Sequence, residues 1–232
     1  MPTVEARLPT VDELRERHER LLGRLRSVAE HAGHDPGGLR IVGITKTWPV
    51  EVARAALEAG IDRLGENRVQ EAQAKIEALP DAEWHMVGHL QSNKARRAVE
   101  GFDVIHSVDS SALLGRLDEL AHDLGRTTRL LAQVNVSGEV AKSGMAPSEI
   151  ATIVAPRTAR LVGLMTMAPH AASEDEARAV FGRLRILRDE LQERLGIGLP
   201  ELSMGMSADA DAAAAEGATL VRIGTALFGP RA

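Results

Sequence analysis

The stretch IVGITKTWP, residues 41–49, is a short apolar run that reaches a lysine three residues before a proline. Its β-branched residues favour a strand, and the run is too short for a buried helix. The segment that follows, residues 50–59, is rich in alanine and glutamate and is typical of a helix. A strand therefore brings Lys46 to its carboxyl end, where the amine either faces solvent or takes part in chemistry.

The same pattern, a short apolar run followed by a helical stretch, recurs along the chain. Eight strands are predicted, at 39–45, 63–66, 84–88, 103–108, 129–136, 160–167, 201–205 and 220–228. Helical patterns lie between them, for example at 50–59, 67–78, 110–124 and 173–195. Alternating β and α elements indicate a parallel sheet with right-handed crossovers. Eight strands in 232 residues favour a single closed (β/α)8 barrel of the TIM type over an open doubly wound sheet.

An opening helix is predicted over about residues 10–33, ahead of the first strand. Thr10 and Glu13 have the spacing of a capping box, and leucines recur behind them at helical spacing. No linker and no change in composition marks a second domain. We therefore expect residues 1–232 to form one domain.

The composition excludes several kinds of site. Aromatic residues make up only 2% of a chain that is 44% hydrophobic, so the core must be aliphatic. The chain has no cysteine, which excludes disulfides, thiolate metal sites and cysteine nucleophiles. It also has no tyrosine, so no phenol can act as a general acid or base.

Charge and hydropathy indicate where the protein works. The formal net charge of −5 disfavours a nucleic-acid scaffold, which usually shows a basic face. Residues 1–25 carry charges throughout and lack the apolar stretch of a signal peptide. No run approaches the roughly 20 apolar residues of a membrane span. We expect a cytoplasmic protein with neither nucleic acid nor membrane as a partner.

The last two predicted strands end in SMGMS, residues 203–207, and RIGT, residues 222–225. Barrels that bind phosphate commonly do so after their seventh and eighth strands, with backbone N–H groups at a helix start. Gly205 allows close backbone approach and Ser207 can cap the following helix. Gly224 and Thr225 add a second turn with a hydroxyl. The pair indicates a phosphate site, although ordinary loops are also polar.

Arg222 is an unusual residue for a barrel strand. Alternation in LVRIGTALF puts Val221 and Ile223 on one face and Arg222 on the other, so Arg222 is predicted to project into the barrel. A buried unpaired charge is very costly, and the arginine therefore needs an acceptor. Two interpretations stay open: an anion at the phosphate turn, or an internal pair with Glu66 or another acid.

The histidines do not indicate a metal site. His85 and His89 are four residues apart, but they lie on a predicted strand-to-loop stretch, where that spacing does not place both on one face. No HExxH motif is present. A zinc site is therefore not expected.

The Lys46 amine can form a Schiff base with an aldehyde, and the phosphate site near the inward arginine can hold that aldehyde's phosphate. Pyridoxal 5′-phosphate (PLP) has both groups. The motifs IVGITKTWP, GENRVQE, HMVGHLQSNK, IHSVD, VNVSGEVAKSGM, GLMTMAP, LSMGMSAD and VRIGTALFG occur in this order between about residues 39 and 230. Together they closely resemble the YggS/PROSC family of pyridoxal phosphate homeostasis proteins.

The resemblance implies a fold like the N-terminal barrel domain of alanine racemase, with Lys46 carrying PLP as an internal aldimine. It implies that Ser207, Gly224 and Thr225 hold the phosphate, that Arg222 lies near the pyridine nitrogen and that Asn67 lies beside the ring. Met204 and Gly205 are implied to join the cradle through backbone groups. SADADAAAAEG is more alanine-rich than the family pattern, so Asp209 is expected to be a helix cap.

Two uses of the cofactor follow from the resemblance. Racemases of this fold flank the substrate carbon with a lysine and a tyrosine, and this chain has no tyrosine. The first hypothesis is therefore a non-enzymatic PLP-binding protein of vitamin B6 homeostasis, a monomer that can pass PLP to apo-enzymes. The alternative is a single-domain amino-acid racemase with Lys46 as its only base. A barrel enzyme acting on a phosphorylated sugar would explain Lys46 but not the full-length resemblance.

Overall fold

A closed barrel of eight parallel strands forms the centre of the computed structural model, which describes residues 7–138, 143–154 and 160–230. The strands are β1 Arg40–Ile44, β2 Arg63–Glu66, β3 Glu83–Met86, β4 Val104–Val108, β5 Arg129–Gln133, β6 Leu161–Met165, β7 Glu201–Ser203 and β8 Leu220–Ile223. Each strand pairs with the next in sequence, and β8 pairs with β1 to close the ring. The predicted barrel is confirmed.

Helices surround the barrel in the described part of the chain. They are α1 Val11–His31, α2 Val50–Glu58, α3 Val69–Ala78, α4 Ala95–Gly101, α5 Ser111–Asp123, α6 Pro147–Val154, α7 Glu174–Leu195, α8 Ala210–Ala215 and α9 Thr225–Phe228. The predicted opening helix is present as α1, and the capping box of Thr10 and Glu13 closes its amino end. Within the described residues, none of the helices combines the length and the apolar character that crossing a bilayer requires.

The prediction of the last strand is wrong over its second half. Residues 220–228 read as one strand, but β8 ends at Ile223 and Thr225–Phe228 form the short helix α9. Gly224 has φ −108° and ψ −87°, which turns the chain out of the extended conformation. The apolar run that follows fits a strand or a buried helix equally well by periodicity, so its pattern could not separate the two.

Two hydrophobic layers follow from the alternation of side chains along the strands. The larger layer lies between the strands and the helices and includes Trp84 and Phe228. The smaller one fills the barrel with Val42, Ile44, Val104, Leu131, Met165 and Leu220. Both layers are mainly aliphatic, as the low aromatic content requires.

Gly205 fixes the path of the chain after β7. Its φ of +86° lies in the region that favours glycine, and a Cβ there would lie 2.4 Å from the Ala213 Cβ of α8. The loop therefore runs directly against α8, and this close approach determines where residues 206–209 lie.

Replacing Gly205 with alanine should be strongly destabilising. The left-handed backbone and the clash with Ala213 together should lower the free energy of unfolding by roughly 2–4 kcal/mol, measured by urea denaturation. Gly198→Ala is the matched control, because no atom lies within 4 Å of its Cβ position and its φ is not positive. Equal stability of the two variants would contradict this account of the loop.

Candidate functional site

An open cleft lies at the carboxyl ends of the strands, with a volume of about 710 Å³. This volume is within the usual range of small-molecule sites. The cleft is formed by residues in the last part of β1 and β8 and in the loops after β1, β6, β7 and β8: Ile44, Lys46, Met167–Ala172, Met206–Asp209, Arg222, Gly224 and Thr225. The position agrees with the rule that barrel enzymes and binding proteins use this face.

Lys46 reaches the cleft because of the alternation along β1. Ile44 faces the barrel interior, so Thr45 faces the helices and Lys46 returns to the inner side. Thr47, with φ 66°, turns the chain sharply after the lysine, and the Trp48 N–H donates to the Thr45 carbonyl at 3.0 Å. Lys46 itself is partly buried.

A buried ion pair holds the residue before this lysine. Lys75 of α3 donates from Nζ to Glu66 Oε1 at 2.6 Å and to the Thr45 carbonyl at 2.8 Å. The Thr45 hydroxyl donates to the same carboxylate oxygen at 2.7 Å. Removing one member of such a pair would leave a buried charge without compensation. The end of β1, and with it the direction of Lys46, is therefore fixed from the helical side of the sheet.

A hydrogen bond connects the loop after β7 to the segment that follows β8. The Ser207 hydroxyl accepts a hydrogen bond from the Ala226 N–H at 3.3 Å, in the first turn of α9. Asp209 occupies the predicted N-cap position of α8, but its side chain makes no capping hydrogen bond to that helix, and its Oδ1 accepts instead from the Met206 N–H at 2.6 Å. The expectation that Ser207 caps the helix after β7 is wrong, because α8 begins three residues later and Ser207 bonds to α9.

Arg222 projects into the barrel, as alternation along β8 predicted. Its side chain donates from Nη1 to Ser203 Oγ at 2.5 Å and from Nη2 to the Thr166 carbonyl at 2.9 Å. The suggested pair with Glu66 is wrong, because Glu66 lies on the outer face of the sheet with Lys75. Burial lowers the pKa of Arg222 to about 10, and the negative charge of Asp209 opposes this change. Arg222 therefore stays cationic at neutral pH.

A pair of histidines that no sequence pattern indicated lies inside the barrel. His85 Nδ1 lies 2.8 Å from His106 Nε2, and His106 Nδ1 lies 2.7 Å from Ser203 Oγ. His85 Nε2 lies 2.7 Å from Glu83 Oε1. His89 is elsewhere, 3.0 Å from Asp109, so the two histidines that the sequence placed four apart do not meet. Among the described residues, no group of three or more histidine, aspartate or glutamate side chains could hold a metal ion.

Five of the eight predicted site residues line the cleft: Lys46, Ser207, Arg222, Gly224 and Thr225. Asn67 lines a neighbouring pocket of about 450 Å³, together with His89. Met204 and Gly205 lie buried beneath the cleft, and the Met204 N–H donates to the Leu220 carbonyl at 3.1 Å.

The loop after β6 forms a wall of the cleft that sequence reasoning missed. Thr166, the first residue after β6, turns its hydroxyl away from the cleft to the Val134 carbonyl at 2.8 Å. Met167–Ala172 line the cleft instead, and His170 adds a titratable group. The proline and the alanine with positive φ in this loop, Pro169 and Ala171, show that the chain turns here, but their pattern does not indicate a ligand.

Comparison with known proteins places this barrel in a family. The alanine racemase N-terminal domain family matches residues 19–232. A protein of Aquifex aeolicus named pyridoxal phosphate homeostasis protein is 41% identical over 223 residues, which cover 93% of this chain and 97% of the relative. The chain belongs to the family of pyridoxal phosphate homeostasis proteins. The motifs that suggested this family are all in the described residues except 139–142 of VNVSGEVAKSGM.

Solved structures agree with this family assignment. The structure of PipY of Synechococcus elongatus with PLP bound is 42% identical, with a TM-score of 0.81, and the match covers 93% of this chain and 100% of PipY. An alanine racemase of Clostridium difficile matches at 18% identity and a TM-score of 0.73, covering 90% of this chain and 56% of the racemase. The second match shows the shared barrel fold alone, which confirms the predicted likeness to the alanine racemase barrel.

The buried histidines of this family member should make its stability sensitive to acid. Burial lowers the pKa of His85 and His106 from 6.5, so below about pH 6.5 the unfolded chain binds protons that the folded chain does not. The free energy of unfolding should therefore fall as the pH is lowered from 7 to 5, by up to about 1.4 kcal/mol per pH unit and histidine. Urea denaturation at a series of pH values measures this slope.

A pair of single variants separates the buried histidines from the rest. His106→Gln removes one titrating group and should reduce the slope, whereas His122→Gln, at a position 84% exposed, should leave it unchanged. The Glu83 carboxylate also makes the free energy of unfolding fall as the pH is lowered, but over a more acidic range than the histidines. Burial raises the pKa of Glu83, but His85 and Arg129 outweigh this effect and lower it to about 2. A pH-independent free energy of unfolding in the wild type would contradict the prediction.

Proposed function

We propose that this protein binds PLP in the cleft and serves vitamin B6 homeostasis, holding the cofactor as a Schiff base on Lys46. The proposal rests on one observation: Lys46, the buried Arg222 and the two turns at residues 206–209 and 224–225 line the same cleft. PLP needs these three groups, for its aldehyde, its ring and its phosphate. The family match and the PLP-bound structure of PipY support the same ligand.

The phosphate is proposed to lie between Ser207 and the start of α9. Backbone N–H groups at a helix start have no partner within the helix and attract anions. Gly224 and Thr225 stand at that start, and the bond from Ala226 to Ser207 holds the two loops together. Met204 and Gly205 are proposed to support this cradle from below, since the Met204 N–H is already bonded to β8.

Arg222 is proposed to face the pyridine nitrogen. A guanidinium has donors and no acceptor, so it favours a nitrogen that carries no proton. PLP supplies an electron sink when its ring nitrogen is protonated, and an unprotonated nitrogen weakens that sink. Asn67 is proposed to lie beside the ring, although it lines the neighbouring pocket in this structure. These residues fit holding the cofactor better than using it, and the name given to the relatives agrees.

The proposed role extends to the setting in which the protein works. We propose that residues 1–232 act as one domain, in the cytoplasm, as a monomer that limits free PLP and can pass it to apo-enzymes. Large apolar side chains that are exposed in the described residues are Leu8, Met167, Ile186 and Met206. Two of them border the cleft, and the set gives no broad apolar face of the kind that stable oligomers bury.

Binding through Lys46 can be tested by absorbance. The purified protein, or the protein after addition of PLP, should be yellow, and borohydride should bleach the colour because it reduces the Schiff base. Lys46→Ala should abolish the colour and lower the affinity for PLP at least about tenfold, since the covalent bond is lost. Lys94→Ala is the matched control, because Lys94 lines the neighbouring pocket and lies outside this cleft.

A colourless wild type that takes up no added PLP would end the proposal. Equal loss of colour in Lys46→Ala and Lys94→Ala would show that the lysine in the cleft has no special role.

A second candidate, an amino-acid racemase, is favoured by His170. This histidine lines the same cleft as Lys46 and is exposed, so a second acid–base group is present despite the lack of tyrosine. The PLP-loaded protein incubated with single enantiomers of several amino acids should give turnover no faster than free PLP. Turnover well above free PLP that is lost in both Lys46→Ala and His170→Gln would promote the racemase to first place.

A further inference from the structure

A continuous row of hydrogen-bonded groups crosses the barrel interior from Arg222 to Glu83. The successive separations are 2.5 Å from Arg222 to Ser203, 2.7 Å to His106, 2.8 Å to His85 and 2.7 Å to Glu83. The first four residues are at most 5% exposed, whereas the Glu83 side chain is 28% exposed at the opposite end of the barrel. The proposed cofactor site is therefore connected to the far rim of the barrel.

The two ends of this row fix the direction of every bond between them. Arg222 can only donate, so Ser203 accepts from it and turns its own proton to His106 Nδ1. His106 must then carry its proton on Nε2, which donates to His85 Nδ1. His85 in turn carries its proton on Nε2 and donates to Glu83, a carboxylate that can only accept. Donor and acceptor alternate without a conflict along the whole row.

A further proton on either histidine would break this order. On His85 it would place an N–H on Nδ1 against the N–H of His106. On His106 it would place an N–H on Nδ1 against the Ser203 hydroxyl, which already accepts from Arg222. A hydroxyl that turned to accept both would leave its own buried proton without a partner, which is costly. Both histidines are therefore held neutral, each in a single tautomer.

The charged groups around the row hold its two ends. Arg129 donates to Glu83 Oε2 at 2.6 Å, and Arg63 lies 3.3 Å from Glu83 Oε1, so the carboxylate stays ionised. At the mouth, Arg222 supplies the positive end, with Asp209 as the acidic group that acts on it. Among the residues that the structure describes, these are the charged groups that act on the two histidines and on Arg222.

We propose that Ser203, His106, His85 and Glu83 are positioning residues for Arg222, a polarised row that holds its guanidinium as a hydrogen-bond donor to the ligand. The contacts to Ser203 and Thr166 use two of its five N–H groups, and others remain for an acceptor in the cleft. The identity of that acceptor as the unprotonated nitrogen of PLP rests on the function proposed above. The row itself does not depend on it.

The row can be tested first in the cofactor-free protein. Nitrogen-15 NMR of the histidine rings distinguishes the two tautomers and the protonated form. Among the eight histidines of the chain, His85 and His106 should each show one protonated Nε2 and one unprotonated Nδ1 throughout pH 6–8. A protonated Nδ1 or a doubly protonated ring at either residue in this range would overturn the proposal.

Substitution at the far end then tests whether the row acts on the ligand. Glu83→Gln keeps the shape but adds a donor and removes the charge, so the tautomers are no longer fixed. It should weaken PLP binding about tenfold and change the pH dependence of the visible absorbance of bound PLP. Asp81→Asn is the matched control, because Asp81 lies on the same rim, is exposed and is outside the row. An equal effect of the two variants, or no effect of Glu83→Gln, would overturn the proposal.

A conservative pair at Ser203 tests the link to Arg222. Ser203→Ala removes the hydroxyl and should reproduce the effect of Glu83→Gln on PLP affinity and absorbance, whereas Ser203→Thr keeps a hydroxyl and should restore both. Thr128→Val removes a buried hydroxyl that donates to the Phe102 carbonyl, outside the row, and should change neither. Loss of affinity in Thr128→Val as large as in Ser203→Ala would show a general loss of packing and overturn the proposal. A wild type that binds no PLP would end the proposed function, while the NMR result would still decide the row.

Discussion

The hydrogen bond from Arg222 to Ser203 organises the interior of this barrel. A cation enclosed among aliphatic side chains is unstable unless acceptors surround it, and β7 and β6 supply a hydroxyl and a carbonyl. The hydroxyl must pass its own proton on, and this need accounts for the histidines on β3 and β4. One buried charge at the mouth thus determines which polar residues occupy positions that an ordinary barrel fills with valine or leucine.

A second buried charged group acts from the opposite face of the sheet. Glu66 and Lys75 hold the backbone and the hydroxyl of Thr45 between β1 and α3. The two groups share no residue, yet each fixes one wall of the same cleft. Ser203 and the Thr166 carbonyl fix the position of the Arg222 side chain inside the barrel. Glu66 and Lys75 fix the end of β1, next to Lys46, from outside the barrel. The ends of two neighbouring strands, β1 and β8, are therefore held by independent polar contacts, and support of this kind is what a preorganised binding site requires.

The features that could be predicted from the sequence depend on local periodicity. The barrel, the position of Lys46 at the end of β1 and the inward direction of Arg222 all follow from alternation within single strands. The helix at 225–228 was misread because a short apolar run has no distinctive period. The contact between His85 and His106 depends on the register between β3 and β4, which single-strand patterns do not contain. Asn67 lies just after β2 and lines a separate pocket, and its place beside the ring stays a prediction.

Closure of the ring between β1 and β8 has a consequence for the order of events during synthesis. Residues 40–43 pair with residues 220–223, and α1 packs on α8, so the start of the barrel is completed by its last strand. A growing chain that still lacks β8 has two unpaired sheet edges, and its lysine at position 46 has neither Arg222 nor the turns of residues 224–225 beside it. The cleft proposed to hold PLP is therefore complete only after the final strand has been synthesised.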